Sequence, residues 1–281
     1  MNEVKSTGCA SNHSLGNYNM SNKNIFCNVP WTNLHIYWDG SYGMCCSEKQ
    51  RPHTDNTKYN IATLKIEDWY NSLPARKFRQ QILSNDPIPA CDACYSEEAA
   101  GYESRRIKEN FKSVLFTELA FERSYQQSSW NKRFESSRAT GDTDQLPIDW
   151  HVDFGNECNF ACKMCNPRAS SKISAQYVKW GLQKYSSNKN WTLDEKSWEN
   201  FKSSILDVEI NRIHFMGGEP LLNKKFGPLL DFLLEHKPNV SLSFVNNGSL
   251  ITGDLIETLK KFRSCDVEVS LESIHKNNEY I

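Results

Sequence analysis

The stretch IDWHVDFGNECNFACKMC, residues 148–165, decides how this chain is read. Its opening residues, 148–154, form a short apolar run of strand length. The loop behind them carries Cys158, Cys162 and Cys165 at CxxxCxxC spacing. Three thiolates on one short loop can ligate three irons of a [4Fe-4S] cluster and leave the fourth iron open to a substrate or cofactor. A closed electron-transfer cluster or a structural zinc takes four protein ligands. On spacing alone the second possibility stands beside the first, with Cys265 or His151 completing the set.

Outward from this loop, apolar runs at 148–154, 212–216, 242–245 and 267–271 alternate with helical segments, which implies βαβ units and a parallel sheet. Thr192 to Glu195 has capping-box form ahead of Trp198, Phe201 and Ile205, and Phe226, Leu230, Leu233, Leu255, Leu259 and Phe262 make later core stripes. A polar, turn-rich stretch at 136–147 marks a domain boundary. Upstream, Leu34, Ile36 and Trp38 read as a strand running into a turn at Asp39-Gly40. Residues 66–84 read as two short helices broken at Pro74. The expected organisation is a polar tail over 1–24, a small α+β cysteine-rich domain over 25–97, a helical and polar connector over 98–147, and an α/β unit over 148–281.

The upstream half holds a second constellation: Cys27, then Gly40, then Cys45, and after a long gap Cys91 and Cys94 as CxxC. Two ligands from a strand-turn-strand and two from a CxxC turn can surround one metal, and structural zinc is one reading of that set. Cys46 is left as a buried small apolar residue or a substitute ligand, and Cys9 and Cys265 are read the same way. His35, His151 and His214 lie in or beside strands and read as satisfied structural histidines. The tryptophans read as core anchors.

Composition bounds the rest. With 33 Lys plus Arg against 34 Asp plus Glu, a formal net charge of −1, no global basic field draws the chain to nucleic acid or membrane. Neither a signal-peptide apolar run nor a membrane span is present in the sequence, so the ten cysteines are expected in a reducing, cytoplasmic setting, where clustered thiols hold metal more often than each other.

The CxxxCxxC loop after a strand resembles the signature of the radical S-adenosylmethionine (SAM) enzymes, which place it after the first strand of a six-unit (β/α) barrel. Further segments match in order. Gly217, Gly218, Glu219 and Pro220 resemble the family's GGEP segment, which receives the amino group of SAM. Asn247 lies where a TNG segment ends the third strand, and Ser270 and Glu272 lie at the end of the fourth, where the SAM ribose is contacted. Met164 occupies a position near the adenine. All of these fall at carboxyl ends of consecutive parallel strands, where α/β sheets build their sites. The upstream cysteines, with Pro30-Trp31 and Asp39-Gly40, resemble the twitch domain, a shortened SPASM domain in which Cys27, Cys45, Cys91 and Cys94 would ligate an auxiliary [4Fe-4S] cluster.

The resemblance implies reductive cleavage of SAM to a 5′-deoxyadenosyl radical, hydrogen abstraction from a peptide or small-molecule substrate, and an auxiliary cluster that accepts an electron. It also implies a reductant such as flavodoxin or ferredoxin. Two departures accompany it: the twitch segment precedes the barrel, and only about four of six βα units are in view, so a complementing chain is an expected partner. The alternatives are a non-catalytic iron-sulfur or zinc scaffold acting through its open edge, and a zinc-stapled interaction module without SAM chemistry.

Overall fold

The computed structural model describes residues 25–48, 51, 53, 55–110, 136–184 and 190–271. Glu272 and Cys9 lie outside the described residues, as does part of the expected connector. Six strands form one sheet: β1 (Asn33–Ile36), β2 (Tyr42–Gly43), β3 (Asp149–Asp153), β4 (Arg212–Met216), β5 (Ser241–Asn246) and β6 (Ser264–Val269), in spatial order β2-β1-β3-β4-β5-β6. Only β1 and β2 are antiparallel; every other neighbouring pair is parallel.

The hairpin follows from its turn. Gly40 takes φ +80°, a left-handed value that glycine adopts without steric cost. Asp39 accepts from the Ser41 amide and hydroxyl at 3.2 and 2.7 Å. β1 then continues the barrel sheet, with Thr32 O receiving the amides of Ile148 and Asp149 at 2.9 and 3.0 Å. The cysteine-rich half and the α/β half therefore share a sheet, and a single apolar core runs through both. The first edge of the barrel, β3, is covered by β1.

Helices α1 (Ile66–Tyr70) and α2 (Leu73–Leu83) follow the hairpin, and Pro74 sits in the first turn of α2, where its missing N–H is tolerated. α3 (Asp92–Ala99) starts beside Cys91. In the α/β half, α4 (Ser171–Lys179), α5 (Glu195–Asp207), α6 (Phe226–His236) and α7 (Gly253–Leu259) alternate with the strands. Strand alternation sends Trp150, Val152, Ile213, Phe215, Leu242 and Phe244 to the helix-covered face, where Trp150 meets Phe201 and Phe226 packs on Phe215 and Phe244. The opposite, inner face is polar. His35, His151, His214 and Ser243 fall in one register row across four strands.

Three local expectations change. The cap of α5 is Asp194, whose carboxylate accepts from the Ser197 amide and hydroxyl at 2.8 and 2.6 Å, because Thr192 is already bonded to Asn190 inside a preceding 3-10 turn. The fourth barrel strand lies at 264–269 instead of 267–271, since its register is set by pairing with β5 from Ser241↔Ser264 to Asn246↔Val269. Val267, Val269 and, just past its end, Leu271 are 41, 42 and 58% exposed on this edge. Finally, the histidines are only partly satisfied. His214 Nδ1 lies 2.7 Å from Ser243 Oγ and His151 Nε2 3.0 Å from Arg105, but His35 Nδ1 and His151 Nδ1 have no hydrogen-bond partner among the described residues. Side-by-side imidazoles on adjacent strands cannot all serve one another.

Candidate active site

The loop bearing Cys158, Cys162 and Cys165 leaves the top of β3, and two neighbouring strand ends hold it in place. Immediately before the cysteines, Gly155 O and Glu157 O accept from the amides of Gly218 and Glu219 at 3.1 and 2.7 Å. This contact demands the glycine pair. A Cβ on Gly218 would lie 2.0 Å from Glu157 O, and one on Gly217, whose φ is +114°, would lie 2.4 Å from Gly155 O. The glycine pair thus lets backbone approach the cysteine loop itself.

Glu219 joins the third element. It is 2% exposed, and its two carboxylate oxygens accept from Leu221 N at 3.1 Å and from Asn247 N at 2.7 Å. Burial pushes its pKa up, while those two amides oppose the shift. Each oxygen keeps a lone pair for a further donor such as an ammonium. Pro220 opens the 3-10 turn that presents the carboxylate. The Asn247 side chain donates to Asn159 Oδ1 at 2.9 Å, and Asn159 donates to Ser249 Oγ at 2.9 Å, which ties the cysteine loop to the end of β5. Asn159 was not singled out in the sequence, although a polar residue inside CxxxCxxC was the available signal.

The three thiols are half-buried, and none is in a disulfide. Burial raises Cys158 and Cys165, with Glu219 and the neighbouring thiols adding to the rise. Thiolates here therefore call for a cationic partner, which the irons of a cluster supply. Met164 is 74% exposed, and Ser270, also exposed, extends the ladder by donating its amide to Asn246 O at 2.8 Å. Cys265 pairs in register with Leu242 in the lower half of the sheet, away from this loop, and His151 is engaged by Arg105.

The second site is a pocket whose lining includes all four of Cys27, Cys45, Cys91 and Cys94, with Glu48, Arg105 and Arg106. The four cysteines come from three local devices. Cys27 precedes a 3-10 turn, Cys45 follows β2, and Cys91 and Cys94 span the start of α3. All four are free thiols, and burial raises Cys27, Cys91 and Cys94; Cys45 is raised first by its hydrogen bond with Cys46 and then by burial. Among the described residues no three Cys, His, Asp or Glu side chains stand close enough to hold a single metal ion. Four thiols lining one pocket are a donor set that fits an iron-sulfur cluster. Glu48, pushed up to about 7 by burial, accepts from the amides of Met44 and Cys45 at 2.7 and 2.8 Å and braces the Cys45 turn.

Comparison with known proteins matches a family model to each half of the chain. Residues 152–280 match the model of the radical SAM superfamily, and residues 27–95 match that of the SPASM iron-sulfur cluster-binding domain. The radical SAM cyclopropyl synthase TigE of Paramaledivibacter caminithermalis is 30% identical over 138 residues, 44% of this chain and 27% of that protein. The PqqA peptide cyclase of Bradyrhizobium diazoefficiens is 24% identical over 50% of this chain and 33% of its own length. A GTP 3′,8-cyclase of Nautilia profundicola is 27% identical over 45% and 36% respectively. The chain thus spans about a third of the length of the curated relatives it matches, and no solved structure matches it. No helix among the described residues is long and apolar enough to cross a membrane. The cysteine loop at a barrel strand end thus lies in a radical SAM domain, and the four-cysteine pocket in a SPASM-type domain placed before it.

Proposed function

We propose that this protein is a radical SAM oxidoreductase with two [4Fe-4S] clusters. The observation that carries the reading is the convergence of the Cys158 loop, Glu219 and Asn247 on one rim at the carboxyl ends of β3, β4 and β5. Cys158, Cys162 and Cys165 would hold the first cluster. Gly217, Gly218, Glu219, Pro220, Asn247 and Ser270 would line the SAM side, with Met164 toward the adenine. Bound there, the cluster and SAM supply a carbon-centred radical that abstracts hydrogen from the substrate. Glu219 would orient the SAM ammonium, and the rim would keep the radical from water. Cys27, Cys45, Cys91 and Cys94 would hold the auxiliary cluster as electron acceptor.

The named relatives are a synthase and cyclases, which favours net oxidation coupled to bond formation. Of their substrates, a peptide suits the inner face better than a nucleotide triphosphate. Arg212, on that face, already pairs with Asp149 at 3.0 and 2.8 Å, and Arg105 is engaged by His151 and Cys46. β6 is exposed at five of its six residues, and further strands or a complementing chain would cover it. The test is electron paramagnetic resonance of the dithionite-reduced chain with and without SAM. A SAM-induced change in the cluster signal that vanishes in the Cys158→Ala, Cys162→Ala, Cys165→Ala variant supports the reading; a reduced cluster signal indifferent to SAM refutes it.

A further inference from the structure

Arg105 joins the two halves of the molecule and holds neither cluster in the reading above. It lies in the helical stretch over 105–110 and lines the four-cysteine pocket. One terminal nitrogen donates to Cys46 Sγ at 3.1 Å, next in sequence to Cys45, and the other contacts His151 Nε2 at 3.0 Å on the inner face of the barrel. Its nearest carboxylate oxygen among the described residues is Glu109 Oε1, at 3.7 Å. Arg106 lines the same pocket, but Glu98 grips it with both oxygens, one at 3.0 Å from Nε, so its charge is balanced on the spot. Arg105 is therefore the less compensated cation facing the four thiols. Glu48 acts in the opposite sense from the same wall, with its carboxylate turned to the Cys45 and Met44 amides.

We propose that Arg105 sets the electron affinity of the four-cysteine centre, its guanidinium stabilising the reduced state, while its contact with His151 fixes that charge between the centre and the barrel interior. The inference rests on the auxiliary-cluster reading given above. One electron passes from the substrate-centred radical to the centre; the substrate, losing a proton to water, becomes an even-electron product, and the centre returns the electron to an external oxidised carrier of the flavin or iron-sulfur type. Reduction adds one negative charge to the centre, and a cation held at its wall in a poorly solvated pocket favours that state more than the oxidised one. Arg105 makes no contact with the reacting atoms and is a positioning residue.

The experiment uses the full chain carrying Cys158→Ala, Cys162→Ala and Cys165→Ala, so that only the auxiliary centre is loaded, and follows its signal by electron paramagnetic resonance in a redox titration. R105Q is expected to lower the reduced-to-oxidised ratio at a fixed potential at least about tenfold, a shift of about 59 mV for one electron, while R105K stays near the parent. A midpoint unmoved in an iron-loaded R105Q protein, or R105K shifting as far as R105Q, overturns the inference. Should R105Q lose its iron, E109Q decides: removing the counter-charge raises the midpoint if the inference is right and leaves it unchanged if it is wrong. A background protein that loads no cluster at all instead overturns the auxiliary-cluster reading, so the two failures are distinguishable.

Discussion

Replacing Gly218 with alanine is the sharpest test of how the cysteine loop is joined to the end of β4. The new methyl would sit 2.0 Å from Glu157 O, a backbone atom that cannot swing aside as a side chain could. To relieve the overlap, the turn must withdraw and release Gly218 N to Gly155 O and Glu219 N to Glu157 O, now 3.1 and 2.7 Å. Two such bonds contribute about 1 kcal/mol each, and loosening the charge-assisted bond from Asn247 N to Glu219 adds about 1 more, for about 3 kcal/mol in total. In a protein of this size that lowers Tm by about 6–12 °C. Gly227, in α6, is the control: nothing lies within 4 Å of a Cβ there, and alanine in a helix is better than glycine by about 0.5–1 kcal/mol. Differential scanning fluorimetry of the apo chain reads both variants, and iron content after reconstitution shows whether the loss is confined to the first cluster. A Gly218→Ala protein melting with the parent or with Gly227→Ala would refute the reasoning.

Two further outcomes follow from buried polar groups. Arg79 is fully buried and donates to Pro30 O, Tyr70 O and Gly141 O at 2.9, 2.6 and 3.0 Å; Arg79→Met strands those carbonyls and should cost about 4 kcal/mol in urea unfolding, and a cost below about 1 would contradict its role as the clasp of the SPASM-type half. His214 is lowered by burial from 6.5 to about 4, with Arg212 and Arg105 adding to the shift. Its unfolded form binds the proton first, so the parent is fully stabilised above pH 6.5 and loses about 3 kcal/mol relative to His214→Asn as pH falls toward 4; parallel stability profiles for the two proteins would contradict this.

The cysteine loop, the Gly217-Gly218 turn, the Asp39-Gly40 hairpin and the first three barrel strands were legible because each depends on residues adjacent in sequence. What escaped depends on distant partners. The pairing of β1 with β3 turns two expected units into one sheet, and no local pattern announces which edge a strand will join. The start of β6 is dictated by β5, so its apolar alternation misplaced it by three residues. Thr192 has capping chemistry, yet Asn190 and Asn223 claim its hydroxyl, which leaves the cap to Asp194. Asn159 and Arg105 owe their roles to contacts 88, 59 and 46 residues away, and only the place of Asn159 inside CxxxCxxC hints at either.

The most direct measurement is 5′-deoxyadenosine formed by the anaerobically reconstituted chain with SAM and a strong reductant, beside the variant lacking Cys158, Cys162 and Cys165. The account predicts 5′-deoxyadenosine and methionine in equal amounts from the parent and none from the variant. A parent protein that holds iron at both sites and yields no 5′-deoxyadenosine, or a variant that yields as much as the parent, would contradict it.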